Sequence, residues 1–439
     1  MKLEELEGKK RFYKRCAWLF IFFAFFVSAL VGRLVYLQLW SKARYANLAR
    51  AQRIQPTLID PQRGNIYDRN YELLAKSVDA YSIHVIPSKD RNHREAAELL
   101  SAHLNMDADE IEALFLEHEE KQTNFWLARK LSFETANRIR ELTIPGIRLI
   151  TRPQRFYPKG SLAAHVIGIA GIDNQGLEGL EYYYDQFLKG TPGTIQVERD
   201  AVQRRIPGGY ENLIPPVNGS DLVLTLDSVI QYIAEKELKA AVSATESDAG
   251  VIMIMNPKTG EILANAVYPT FDPNDYQSYP ALNRRNIAVT DLYEPGSTFK
   301  IFTAAAAIDL GIVDAEREFY SGPSWSVGGG SVRSSNIYGH GRINFLEAIE
   351  KSDNIAFAQI SVEMGSARFY PYLASFGFGK KTGIDFPGEA AGIVPKPGQI
   401  AHGETLQWAN IGFGQGIAVT PLQLLMATAA VANGGRVMR

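Results

Sequence analysis

The 439 residues contain one cysteine, Cys16, which excludes an intramolecular disulfide framework and any cysteine-rich zinc site. Histidine is sparse as well. Seven are scattered along the chain with no His-x-x-x-His spacing, so no metal-binding helix pattern is present. An excess of one charge is also missing: 46 Lys and Arg stand against 48 Asp and Glu, a formal net charge of −2. A protein that neutralises phosphates needs a basic surplus, so the balance argues against nucleic acid as a partner. There is no repeat of fixed period and no long low-complexity tract. What is present is an ordinary folded composition, 46% hydrophobic and long enough for two or three domains.

The one long hydrophobic run is Ala17 to Trp40, 24 residues with a single charge, Arg33. At ~1.5 Å per residue such a helix spans a ~30 Å hydrocarbon core with some tilt. Arg33 lies towards the far end, where it can snorkel, and Tyr36 and Trp40 suit an interfacial belt. Lys2, Lys9, Lys10, Arg11, Lys14 and Arg15 precede the run. That basic flank predicts a cytoplasmic tail (1–16), a transmembrane anchor (17–40) and an exported remainder. A cleaved signal peptide is the alternative, since Val27-Ser28-Ala29 loosely resembles a cleavage site. The apolar run continues past it, however, whereas signal cores are shorter.

Within the exported part, Asn212–Ser220 carries Pro215-Pro216 and Asn218-Gly219 and reads as a linker or turn cluster. Before it, the strand-like Tyr81–Ile86 mixes with charged helices around Arg94–Leu116 and Phe133–Leu142, an irregular α+β region. Beyond it, Asp221–Leu226 alternates like a strand, and Asp227 can cap a helix with apolar positions Ile230, Ile233, Leu238 and Val242. Gly250–Met255 and Glu261–Tyr268 read as a hairpin turning at 256–260. Helical stretches follow near 297–310, 343–363, 367–376 and 420–432. A hairpin followed by helices predicts an antiparallel sheet with helices packed on it.

The chemistry lies in Glu294-Pro295-Gly296-Ser297-Thr298-Phe299-Lys300. Pro295 and Gly296 break the preceding chain, so Ser297 falls in the first turn of a helix. Residues three apart share a helical face, which sets the Lys300 amine beside the Ser297 hydroxyl. A serine needs an adjacent base, and lysine can serve only when neutral. Burial and the positive end of a helix dipole both favour that form. Ser297 is the only serine here with lysine three residues on. A capped helix with an exposed lysine would leave the same pattern, so the motif needs a second element. Lys351-Ser352-Asp353-Asn354 supplies it: Ser352 can pass a proton between Lys300 and a leaving amine, and Asn354 can orient Lys300 and bind a carbonyl. Ser334 and Asn336 show the same spacing but sit in a Gly- and Ser-rich loop, and Ser352 is preferred.

Ser-x-x-Lys followed by Ser-Asp-Asn resembles the fingerprint of penicillin-binding proteins and serine β-lactamases. The stretches 63–70, 176–181, 224–227, 414–416 and 420–424 extend the likeness to class B penicillin-binding proteins over most of the chain. That resemblance implies an α+β protein: a transmembrane helix, a pedestal (dimerisation-like) domain at 41–215 and a transpeptidase domain at 216–439. The implied activity is a peptidoglycan DD-transpeptidase of the cell-division (septal) type, a single-pass inner-membrane protein whose bulk lies in the periplasmic or cell-wall space. It would cross-link stem peptides ending in D-Ala-D-Ala through a serine acyl-enzyme, with Ser297, Lys300, Ser352 and Asn354 catalytic. β-Lactams would act as inhibitors, a membrane-embedded glycan polymerase and other divisome proteins as partners. No metal or organic cofactor is implied.

The family's third motif, Lys-Thr/Ser-Gly on a cleft strand, has two decoys. Lys258-Thr259-Gly260 falls in the hairpin turn, ahead of Ser297. Lys381-Thr382-Gly383 has Gly- and Pro-rich flanks, poor company for a central strand. The transpeptidase domain is therefore expected to be C-terminally incomplete. An elongation-type enzyme, a non-catalytic cell-wall scaffold and a membrane-tethered β-lactamase or β-lactam sensor are the competing readings.

Overall fold

The computed structural model describes residues 2–198, 205–399 and 403–438. Two compact units are present, one formed by 1–60 with 192–217 and the other by 61–191 with 218–439. The first begins with the helix Lys2–Val35, which runs into a wider turn, Tyr36–Trp40, and is followed by the helix Lys42–Arg53. Phe12–Trp40 is long and apolar enough to cross a membrane, and none of it is buried within the protein. A helix that exposes Trp18, Phe20, Phe22, Phe23 and Phe25 all round is suited to lipid rather than to water. The unit also contains a three-stranded antiparallel sheet, Ile54–Ile59 against Gly193–Glu198 against Glu211–Ile214.

In the second unit, the strand Leu73–Val85 organises the N-terminal part. It pairs antiparallel with Phe125–Leu131 and with Ile147–Phe156. The helices His93–Ser101, Ala108–Glu120 and Phe133–Glu141 start at side-chain caps from Asn92, Asp107 and Ser132. They pack with Ile83, Val85 and Leu127 into one apolar cluster around Leu100, Ile111, Phe115 and Ile139.

The same unit also holds an ionic core. Arg63 Nε donates to Glu181 Oε2 at 2.6 Å and Arg155 Nε to Glu181 Oε1 at 2.5 Å. Arg63 also reaches Asp185 at 2.7 Å, and Arg155 donates to the Gly64 carbonyl at 2.7 Å. The side chains of Arg63 and Glu181 are fully buried. Buried charges persist only when paired and hydrogen-bonded, so these contacts join three segments distant in sequence.

The strand read at Asp221–Leu226 is shorter, Leu222–Val223, because its partner in parallel pairing is only Ile66–Tyr67. Asp227 caps the helix Ser228–Thr245 through the amides of Val229 and Ile230. Leu238 and Val242 are buried on the hairpin Gly250–Met255/Ile262–Tyr268, but Ile233 is 53% exposed with Val229 and Tyr232, on the helix's other side. The helical stretch read at 343–363 is two helices, Phe345–Glu350 and Asn354–Met364, broken at 351–353. Asn354–Met364 buries Ile355, Ala356, Phe357, Ala358 and Ile360. A helix so apolar on every side belongs inside a core, and it sits in the cluster with Phe299, Phe302, Phe369, Trp408 and Ile411.

Candidate active site

Ser297 lies in a single tight turn, Gly296–Phe299, that leads into the helix Lys300–Asp309. Two attachments hold the turn. Inside, Phe299 and Phe302 stack into an aromatic cluster, each with its ring centroid 5.1 Å from that of Phe378. Outside, the segment 414–419 runs alongside: Gly296 N donates to the Gly414 carbonyl at 3.0 Å and Tyr293 bridges to Val419. Gly414 has φ +82, and a Cβ there would lie 2.0 Å from the Gly296 carbonyl oxygen, so only glycine allows this approach. Gly416 N donates to Glu294 Oε1 at 2.7 Å, tying down the chain two residues before the turn.

Ser297 is exposed and Lys300 is 5% exposed. The Lys300 amine is 3.2 Å from Ser297 Oγ, 3.0 Å from Ser352 Oγ, 2.8 Å from Asn354 Oδ1 and 2.6 Å from the Ser352 carbonyl oxygen. All four residues singled out in the sequence therefore meet at one nitrogen. The Ser352 contact depends on an uncommon backbone: Ser352 has φ +50, the left-handed region, at the break between the two helices. Asn354 is the first residue of the second helix, and its side-chain Nδ2 also donates to the Arg333 carbonyl at 3.4 Å.

This geometry assigns the protons of a neutral amine. The Ser352 carbonyl and Asn354 Oδ1 can only accept, so they take its two N–H bonds. The lone pair is left for a hydroxyl, and Ser297 and Ser352 both lie within reach. Burial pushes the Lys300 amine down to about 8, against the opposing pull of the Asp353 carboxylate.

Ser334 and Asn336 are not part of this cluster; Ser334 Oγ accepts from the Asn336 amide at 3.2 Å within its own loop. Lys258-Thr259-Gly260 forms the hairpin turn, with Gly260 at φ +80. Lys381-Thr382-Gly383 is in a loop, where the Thr382 and Gly383 amides donate to the Glu389 carboxylate. Sequence reading missed the contacts of Gly414 with Gly296 and of Gly416 with Glu294, each of which joins residues more than a hundred apart. It also missed the surroundings of Asp353. Among the described residues no group of three or more His, Cys, Asp or Glu could hold a metal ion.

Comparison with known proteins fits this geometry. Residues 250–439 match the penicillin-binding protein transpeptidase domain, and residues 58–224 the penicillin-binding protein dimerisation domain. Stage V sporulation protein D of Bacillus subtilis is 37% identical over 428 residues, covering 96% of this chain; the chain spans 65% of that protein's length. The peptidoglycan D,D-transpeptidase FtsI of Buchnera aphidicola is 31% identical over 426 residues, 94% of this chain and 72% of its own length. Among solved structures, the penicillin-binding protein PBP2 of Helicobacter pylori, in complex with MreC, shares the fold. Its TM-score is 0.71 at 24% identity over 87% of this chain and 78% of that one.

Proposed function

Because this chain belongs to the class B penicillin-binding proteins, we propose that it is a serine D-Ala-D-Ala transpeptidase that cross-links peptidoglycan and is acylated by β-lactams. The observation that carries this is the Lys300 amine, held by the Ser352 carbonyl and Asn354 with its lone pair within reach of Ser297 Oγ.

Ser297 Oγ attacks the carbonyl carbon of the penultimate D-Ala, and its proton passes to the Lys300 nitrogen. As the tetrahedral intermediate collapses, the C–N bond to the terminal D-Ala breaks. The leaving amine takes a proton relayed from Lys300 through Ser352 Oγ. Asn354 holds Lys300 through its oxygen and offers its amide group to the bound peptide. A stem-peptide amine from a neighbouring strand then attacks the acyl-enzyme ester. It returns its extra proton to Lys300, and Ser297 leaves protonated by the same route. A β-lactam follows the first half, its ring nitrogen taking the relayed proton.

The apolar helix Phe12–Trp40 and the basic residues before it support a reading in which residues 41–439 lie outside the cytoplasmic membrane, 41–215 as pedestal and 216–439 as the domain that carries the chemistry. The relative named peptidoglycan D,D-transpeptidase FtsI supports the chemistry, and the likeness of the motifs at 63–70, 176–181 and 414–424 to division-type enzymes supports a role at the septum. The 37% identity to a protein named for sporulation favours a second reading, the same chemistry during sporulation. The neighbour of like fold solved in complex with MreC supports docking of a partner protein on this chain. The test is labelling of the intact protein with a fluorescent penicillin. Wild type labels and Ser297→Ala does not; undiminished labelling of Ser297→Ala would overturn the assignment.

A further inference from the structure

Asp353 takes no part in the proton path just described, yet it is fully buried. Three donors converge on its carboxylate. Oδ1 accepts from the Ala356 amide at 2.7 Å, capping the helix Asn354–Met364. Oδ2 accepts from Ser321 Oγ at 2.5 Å and meets His340 Nδ1 at 2.8 Å. These bonds outweigh desolvation and hold Asp353 below its ordinary value, so it is a carboxylate and His340 Nδ1 must carry the proton between them.

His340 is brought there by its own backbone. Its amide donates to the Ser321 carbonyl at 2.8 Å. Gly339 and Gly341 on either side have φ +72 and +71, and a Cβ on Gly339 would lie 2.5 Å from that same carbonyl oxygen. The loop and the strand Glu318–Ser321 thus deliver two donors to one oxygen of Asp353.

Immediately before Asp353 stands Ser352 at φ +50, whose carbonyl takes the shortest bond from Lys300. A left-handed serine persists only where its surroundings over-determine it. On one side the Ser352 and Asp353 amides close the helix Phe345–Glu350, donating to the Ile349 and Ala348 carbonyls. On the other side, the anchor is the Asp353 side chain. We infer that His340, together with Ser321, is a positioning residue for acyl transfer: by pinning Asp353 it fixes the strained Ser352 turn and Asn354 against Lys300.

The inference rests on Ser297 being the nucleophile, and the experiment separates the two. Acylation by a fluorescent penicillin is timed on the intact protein and normalised to folded protein by a thermal melt, for wild type, His340→Asn, His340→Gln, His340→Ala, Ser321→Ala and Ser297→Ala. An asparagine places its amide nitrogen where Nδ1 stood; a glutamine places its own where Nε2 stood. Loss of one bond to a buried carboxylate predicts His340→Ala, His340→Gln and Ser321→Ala slower by about tenfold or more per folded molecule. His340→Asn is expected to recover to within about threefold of wild type. Wild-type rates in His340→Ala and Ser321→Ala, or an asparagine variant as slow as the alanine, would overturn the positioning role. Strong labelling of Ser297→Ala would instead show that the nucleophile assignment had failed.

Discussion

If Lys300 is the base, acylation must follow the population of its neutral amine, and pH is the perturbation that changes that population without altering the sequence. An ordinary lysine titrates near 10.5, and burial brings Lys300 to about 8. At pH 7 an ordinary lysine is neutral in about 0.03% of molecules and one titrating near 8 in about 10%. The fold therefore raises the reactive population by about 300-fold, equivalent to ~3 kcal/mol. The sign follows directly. The rate rises with pH through the titration of Lys300 and then levels, so acylation at pH 9 is predicted to be about tenfold faster than at pH 7. The assay is the second-order rate of labelling by a fluorescent penicillin between pH 6.5 and 9.5, with the protein's fold monitored at each pH. Lys300→Arg, which stays charged throughout, is expected to be slow and nearly flat over the same range. A wild-type profile that is flat, or still climbing in proportion to hydroxide between pH 9 and 9.5, would refute the reasoning.

Further substitutions at three positions test other parts of the account. Ser352→Gly relieves a left-handed serine while removing its hydroxyl. It should be at least as stable as Ser352→Ala, by ~1 kcal/mol in thermal or urea unfolding, while both variants lose about 10²–10⁴ in turnover; a Gly variant less stable than the Ala variant would show that the turn carries no strain. Glu181→Ala strips the buried guanidinium groups of Arg63 and Arg155 of their shared partner and should destabilise the protein by ~3–5 kcal/mol, and a loss under ~1 kcal/mol in urea titration contradicts the ionic core. Gly414→Ala drives a Cβ onto the Gly296 carbonyl and should slow penicillin labelling although Ser297, Lys300, Ser352 and Asn354 are untouched; wild-type labelling at unchanged stability would contradict the role given to this contact.

The parts of the site that were legible in the sequence are those set by short-range geometry. Three residues make one helical turn, so Ser297 and Lys300 are neighbours whatever surrounds them. The apolar run after Asn354 announced a buried helix, and the Asp227 cap and the hairpin at 256–260 announced themselves by local turn chemistry. Long-range contacts were not legible. Nothing near His340 says that its ring meets a carboxylate 13 residues later. Nothing near Ile54 says that its strand pairs with residues around Glu198, about 140 positions away. The motifs at 63–70 and 176–181 looked like turns and caps one at a time; their charges make sense only when Arg63, Arg155 and Glu181 are seen buried together. Ile233 misled because helical periodicity marks an apolar stripe but not its edge, and the hairpin beneath the helix covers only part of it.

The most direct test of the central claim is to locate the covalent adduct. The intact protein is treated with benzylpenicillin, digested and sequenced by tandem mass spectrometry, alongside Lys300→Arg treated in the same way. The expected result is one modified peptide, with the added mass of the intact drug on Ser297 in wild type and little or none in Lys300→Arg. An adduct on Ser334, Ser335 or any other side chain, or one on Ser297 that forms equally fast without the Lys300 amine, would contradict the account.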